Sequence, residues 1–326
     1  MRDIHFKKGW LAASEGYKES LEKFFQHICL QLRRTVLVSG KTMIYLEMIK
    51  FQHSIFALPF AYFGAFLSEM KVPGFANIFW ITIAMVGARS FAMALNRLID
   101  IEVDRRNPRT AERALPKGLL SASNVLLFSV ISMGVFLLAV FQLAPVCRYL
   151  WPIVVIPFVL YPYTKRFTWF SHFVLGLCLG LAPIGAWIAI TNSFTLEPFL
   201  IGTAVLCWVA GFDILYAIQD IDFDRGHGLY SIPARFGIET SLIVTKLLHI
   251  ISMLLLLWVG LRLGLGLFYY IGILIAAGLL AYENSLVKPN DLSRLNIAFF
   301  TMNGVISLIM FCFVAIEVMF GRRAIV

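Results

Sequence analysis

Nine runs of apolar residues, each about long enough to cross a bilayer as a helix, take up most of this chain, at 46–67, 77–98, 122–143, 149–164, 171–191, 197–218, 239–261, 264–282 and 297–319. A helix rising about 1.5 Å per residue needs about 20 apolar residues to cross roughly 30 Å of hydrocarbon. Only the fourth run is short for this. Runs so continuous do not alternate as barrel strands do, and in lipid each backbone group must find its partner inside its own helix. The composition agrees: 60% of residues are hydrophobic and 14% are charged, against about 25% charged in a soluble domain. A water-soluble globular fold is excluded. The expectation is an all-α polytopic membrane protein, a nine-helix bundle over 46–319, with an N-terminal segment at 1–45 and a short tail at 320–326.

The net charge of +9 does not point to nucleic acid, because the basic residues lie between and before the spans. They sort by side. The N-terminal segment and the loops after the second, fourth, sixth and eighth spans hold most of them, including Arg105, Arg106, Arg109, Arg113, Lys117, Lys165, Arg166, Arg225 and Arg235. Lys71, Arg148, Arg262, Arg322 and Arg323 fall on the other side. The asymmetry puts the N-terminus and the even-numbered loops in the cytoplasm, with Arg322 and Arg323 a mild conflict. Cys29, Cys147, Cys178, Cys207 and Cys312 are scattered without a CxxC pair, so neither a disulfide framework nor a zinc site is implied. Leu21, Phe24, Phe25, Ile28 and Leu32 recur at helical spacing among Lys and Arg, which suits a helix lying on the membrane surface or, as readily, a poorly ordered tail.

The acidic residues gather in two clusters, both on the cytoplasmic side. Asn96-Arg97-Leu98-Ile99-Asp100-Ile101-Glu102-Val103-Asp104-Arg105 closes the second span, and Tyr216-Ala217-Ile218-Gln219-Asp220-Ile221-Asp222-Phe223-Asp224-Arg225 closes the sixth. A shift of 120 residues places Asp100 on Asp220, Ile101 on Ile221, Asp104 on Asp224 and Arg105 on Arg225. This reads as a four-helix unit used twice with one helix appended. Helical residues four apart are about 40° apart around the axis, so each Asp pair presents two carboxylates on one face, and Asn96 extends that face. If the two ends converge, four carboxylates need neutralising cations. Hard divalent ions with oxygen ligands, Mg²⁺ above all, suit such a site and bridge to phosphate oxygens. Arg105, Arg109, Arg113, Lys117, Lys165 and Arg166 are at hand for the remaining phosphate charge. One isolated DxxxD would be no more than solvated loop charge; two matching copies on one side favour metal and phosphate.

Polar residues inside the spans add to this. Arg89 lies seven residues before Asn96, on nearly the same helical face, and should face the bundle interior and an anion. Asp213 lies seven before Asp220, where bonding to a neighbouring helix and direct contact with a substrate are equally open. Lys50 reads as a snorkelling residue, and Tyr161 and Tyr163 as interface aromatics.

NRLIDIEVD with RRNPRTAERALPKG, FDILYAIQDIDFDRGHGLYSIPARFG, and YPYTKRF at the end of the fourth span together resemble the UbiA-type family of intramembrane aromatic prenyltransferases, from about Glu47 to the ninth span. Arg97 stands where the family pattern often has an additional acid, which removes one possible metal ligand. The resemblance implies Asn96, Asp100, Asp104, Asp220 and Asp224 as Mg²⁺ ligands, with the four aspartates as the catalytic set, Tyr161 and Lys165 near the diphosphate, and Asp222 able to exchange with a neighbour. Arg89 and Arg113 join the substrate-binding set, Arg89 facing the acceptor's carboxylate. The implied chemistry is ionisation of a polyprenyl diphosphate to an allylic cation and its capture by an aromatic acid in the bilayer. 4-Hydroxybenzoate, of ubiquinone biosynthesis, is the reference acceptor. FDILYAIQD, FDRGHGLYSIPARFG and RNPRTA look closer to a branch that prenylates a dihydroxynaphthoate-type acid on the futalosine route to menaquinone. Haem prenylation and a transporter are the competing readings, the latter requiring its carboxylates near the membrane midplane.

Overall fold

The computed structural model describes residues 40–292, 295 and 302–321. The N-terminal amphipathic segment, the first residues of the ninth run, and Arg322 and Arg323 lie outside the described residues. The chain divides into two units, Met1–Glu47 and Met48–Val326. In the first, the described residues are helical, in α1 (Gly40–Met48).

The described residues of the second unit form helices joined by loops. Its elements are α2 (Phe51–Ser68), α3 (Phe75–Ile99), α4 (Ile101–Arg106), α5 (Ala122–Gln142), α6 (Cys147–Thr164), α7 (Ser171–Thr191), α8 (Leu196–Ala217), a 3₁₀ turn (Ile218–Asp220), α9 (Ile221–Gly226), α10 (Ile232–Leu263), α11 (Leu267–Leu286) and α12 (Asn303–Phe320). No β-strand occurs among the described residues; an isolated bridge joins Lys288 and Asp291. Among the described residues, seven helices are long and apolar enough to cross a membrane: α3, α5, α7, the run Leu196–Gly226, α10, α11 and α12.

The bundle buries an apolar core and also exposes apolar residues on its outer face, as an integral membrane protein requires. On α10, Ile243, Leu247, Ile250, Leu254 and Leu261 form an exposed apolar stripe, while Ser241, Thr245 and Ser252 are fully buried. In water such a stripe would be costly, whereas in lipid the apolar face points outward and small or polar residues mediate helix contact. On α7, Gly176 and Gly180 let α8 approach so closely that an added Cβ would run into the carbonyls of Leu206 and Gly202.

Successive long helices pack against one another from α2 through α3, α5, α6, α7, α8, α10 and α11 to α12, and α12 returns to α2. This arrangement leaves a cavity of about 630 Å³, lined by side chains of α2, α3, α5, α6, α7, α8 and α12.

Candidate functional site

Both acidic clusters sit where a long helix ends, and both helices break at the same place. Asp100 (φ −93°, ψ 8°) closes α3 and Asp220 (φ −101°, ψ 6°) closes the 3₁₀ turn after α8. At the first break the i→i+4 backbone bonds continue, with Asp100 N–H donating to Asn96 O at 3.0 Å and Asp104 N–H to Asp100 O at 2.7 Å. Asn96, Asp100 and Asp104 therefore stay on one face, and all three line the cavity, as do Asp220 and Asp224. Glu102 and Asp222 are exposed and absent from its lining. Alternation at a helix end thus separates the acids that face inward from those that face water.

Basic side chains come to these carboxylates from several elements. Lys165 Nζ lies 2.8 Å from Asp100 Oδ2, and Arg166 Nη2 lies 3.3 Å from Asp100 Oδ1. Arg113 Nη1 lies 2.7 Å from both oxygens of Asp104. Arg109 grips Asp220 through Nε at 2.9 Å and Nη2 at 2.6 Å, and its Nη1 reaches the Tyr216 hydroxyl at 3.1 Å. Burial alone would lower the Arg109 pKa; the bonds to Asp220 and its charge outweigh that and raise it above the usual guanidinium value. Asp224 Oδ2 accepts from Ser231 Oγ at 2.9 Å, and the same Oγ caps α10 by accepting from Ala234 N–H at 3.2 Å.

The loop after α4 ties the two clusters together. Asn107 is buried; its Oδ1 accepts from the Arg109 N–H at 2.9 Å, an Asx turn, and its Nδ2 donates to Asp220 Oδ1 at 3.1 Å. Thr110 Oγ1 donates to the Asp104 carbonyl at 3.0 Å. Tyr230 N–H donates to the Lys165 carbonyl at 2.7 Å, bringing the second cluster's loop to the end of α6. The sequence alone did not single out Asn107, Tyr216, Ser231 or His172 as site residues. Asn107 in RNPRTA, a turn-former directly after an acidic helix end, was the available signal.

Arg97, the departure from the family pattern, is buried beside Asp104, Nη1 to Oδ2 3.9 Å, and its Nε donates to the Met48 carbonyl at 3.4 Å. It supplies positive charge where a further acid would have added repulsion. Deeper in the cavity, Arg89 lines the wall, with its Nε buried and without a hydrogen-bond partner and no ion pair among the described residues. Tyr161 lines the same wall. Asp213 accepts from His172 Nδ1 at 2.7 Å, so bonding to a neighbouring helix is part of its role.

No three His, Cys, Asp or Glu residues among those described are grouped so as to hold a metal ion by themselves. The donors are instead oxygens in two pairs, at Asp100 with Asp104 and at Asp220 with Asp224. This suits Mg²⁺, which takes one or two protein carboxylates and completes its octahedron with water and substrate phosphate.

These features define a class: a helical membrane protein with a cavity whose mouth is lined by paired acids and bases and whose interior is apolar. Residues 57–305 match the UbiA prenyltransferase family, and the chain belongs to it. A 4-hydroxybenzoate octaprenyltransferase of Aliivibrio salmonicida is 33% identical over 253 residues, 77% of this chain and 87% of that one. One from Marinobacter nauticus is 29% identical over 70% of this chain and 77% of that one. Among solved structures, the apo UbiA homologue of Aeropyrum pernix K1 matches with a TM-score of 0.75 at 31% identity, covering 82% of this chain and 98% of that one. A UbiA homologue from Archaeoglobus fulgidus bound to GPP and Mg²⁺ shares the fold, with a TM-score of 0.64 at 22% identity over 85% of this chain and 99% of that one.

Proposed function

We propose that this prenyltransferase moves a polyprenyl group from polyprenyl diphosphate to an aromatic acid such as 4-hydroxybenzoate, in quinone biosynthesis, with Mg²⁺ held by Asn96, Asp100, Asp104, Asp220 and Asp224. The observation that carries the reading is the cavity itself. Its mouth has two carboxylate pairs, each next to a guanidinium or ammonium group, and it continues past an arginine with no anionic partner among the described residues into apolar walls. The names of the bacterial relatives and the Mg²⁺-bound state of the Archaeoglobus homologue support it.

Bound Mg²⁺ would neutralise charge developing on the departing diphosphate. The chain's own residues do the rest. Lys165, Arg166, Arg109 and Arg113 exchange their carboxylate partners for phosphate oxygens and hold the leaving group in line. Tyr161 lies beside this pocket. Arg89 pairs with the carboxylate of the aromatic acid and sets its ring against the allylic carbon. The apolar walls shelter the allylic cation from water and take up the isoprenoid tail, each CH₂ adding about 0.8 kcal/mol to partitioning.

The topology belongs to the same reading. α2 and α6 complete nine crossings in a bacterial inner membrane, the shared break at Asp100 and Asp220 marks a duplicated four-helix unit, and the acidic mouth opens to the cytoplasm. A dihydroxynaphthoate-type acceptor is the second reading, carried by FDILYAIQD and FDRGHGLYSIPARFG; Arg89 would serve its carboxylate equally well. The test is incubation of purified protein with polyprenyl diphosphate, Mg²⁺ and each acid in turn, with products identified by mass spectrometry. Turnover should stop with EDTA and in Asp100→Ala or Asp220→Ala. Full activity in a folded Asp100→Ala protein would remove that residue from the metal site.

A further inference from the structure

We propose that Asp213 is the base that takes the proton lost from the aromatic ring, and that His172 is the positioning residue that aims it. The inference rests on the prenyl transfer proposed above and adds the fate of its proton.

Three observations converge. Asp213 and His172 both line the cavity, and Asp213 is seven residues before Asp220, about 10 Å deeper along the helix axis. Arg89 stands at the matching depth, seven residues before Asn96. A ring whose carboxylate meets Arg89 is therefore placed below the diphosphate pocket, at the level of Asp213.

The second observation is a fixed tautomer. The Ile232 N–H donates to His172 Nε2 at 3.3 Å, so Nε2 carries the lone pair. The proton then sits on Nδ1, which donates to Asp213 Oδ2 at 2.7 Å. An oriented histidine holds one carboxylate oxygen, while Oδ1 has no hydrogen-bond partner among the described residues. The third is the lack of a counter-charge. Asp100, Asp104 and Asp220 each have an Arg or Lys within 4 Å; among the described residues Asp213, like Asp224, has none.

The electron accounting selects which proton is moved. A carboxylate is far too weak a base to strip a phenol of its O–H proton. An arenium ion is a far stronger acid than any carboxylic acid, and a carboxylate is ample for it. The ring's π pair forms the C–C bond to the allylic carbon, and the C–O pair leaves with diphosphate. The C–H proton passes to Asp213 Oδ1 as the C–H pair restores aromaticity. The carboxylic acid then returns its proton to water entering the cavity.

Asp213→Asn keeps the size of the side chain and an oxygen for His172 to donate to. With an acceptor deuterated at the carbon that becomes prenylated, the variant should show a primary isotope effect that the unaltered protein lacks, and kcat should fall about 10²- to 10⁴-fold. Ionisation of the donor, read as positional exchange of ¹⁸O in the bridging position of the diphosphate, should persist, with KM for polyprenyl diphosphate unchanged. His172→Asn, which restores a donor to Asp213, should retain more activity than His172→Ala. A wild-type rate in Asp213→Asn, or loss of transfer without an isotope effect, would overturn the assignment, the departing diphosphate then being the base. Loss of exchange together with transfer would also overturn it. Absence of any prenyl transfer by the unaltered protein would instead count against the enzyme reading itself.

Discussion

Arg113 holds Asp104 by both oxygens from a loop nine residues on, and Asp104 is only 4% exposed. Removing the guanidinium leaves a buried carboxylate with Arg97, 3.9 Å away, as its one remaining ion-pair partner among the described residues. Arg113→Ala should therefore lower stability by about 1–3 kcal/mol, measured by thermal unfolding in detergent, and raise KM for polyprenyl diphosphate. Arg89 should behave differently, since no anion pairs with it among the described residues. Arg89→Gln is expected to raise KM for the aromatic acid about 10- to 100-fold, the worth of a charged hydrogen bond of roughly 1.5–3 kcal/mol, and to leave KM for the diphosphate nearly unchanged. Equal effects on both substrates would contradict its assignment to the acceptor. Asp100, Asp104, Asp220 and Asp224 were legible in the sequence because their relation is local, four residues along one helix. His172 with Asp213, and Asn107 with Asp220, were not, because they meet only once distant helices have packed.

Helix α7 carries much of the close packing that shapes the cavity. Gly176 and Gly180 face α8, and Pro183 meets Gly64 of α2, where an added Cβ would run into the Pro183 carbonyl. Backbones this near gain dispersion contacts that a larger side chain would forfeit. Gly180→Val should force α7 and α8 apart and cost about 1–3 kcal/mol, seen as a lower melting temperature, whereas Gly185→Ala on the same helix has open space and should be nearly neutral. At the level of elements, the apolar runs located the helices well because length and composition decide what can lie in lipid. The seventh run began at 239 for a visible reason: α10 is interrupted at Gly237, whose φ of 83° breaks the helical path just before it. Less legible was the short fourth run, now α6, where Pro152, Pro157 and Pro162 stand within one helix. Its proline ring pattern gave no sign that its end would bring Lys165 and Arg166 to Asp100.

For the whole molecule, the proposed topology opens both acidic helix ends on one face of the bilayer, and the charge asymmetry assigns that face to the cytoplasm. Closure of the bundle through α12 and α2 could not be read from the sequence, because contact between the first and last long helices leaves no local pattern. The sequence does carry an expectation of sidedness, because Lys and Arg between spans are retained on the side where the chain is made. Glu102 and Asp222 are exposed next to the two clusters but outside the cavity, so cysteines there report on the mouth without entering it. Lys71 is exposed in the loop between α2 and α3, on the opposite face in the proposed topology. In a chain whose native cysteines are replaced by alanine, a membrane-impermeant maleimide should modify Glu102→Cys and Asp222→Cys in inverted membrane vesicles but spare them in intact cells stripped of their outer membrane. Lys71→Cys should give the reverse pattern. Reversal at all three positions would invert the orientation and leave the site intact. Labelling of 102 and 222 from opposite faces would separate the two carboxylate pairs, and a single diphosphate could not then be held between them.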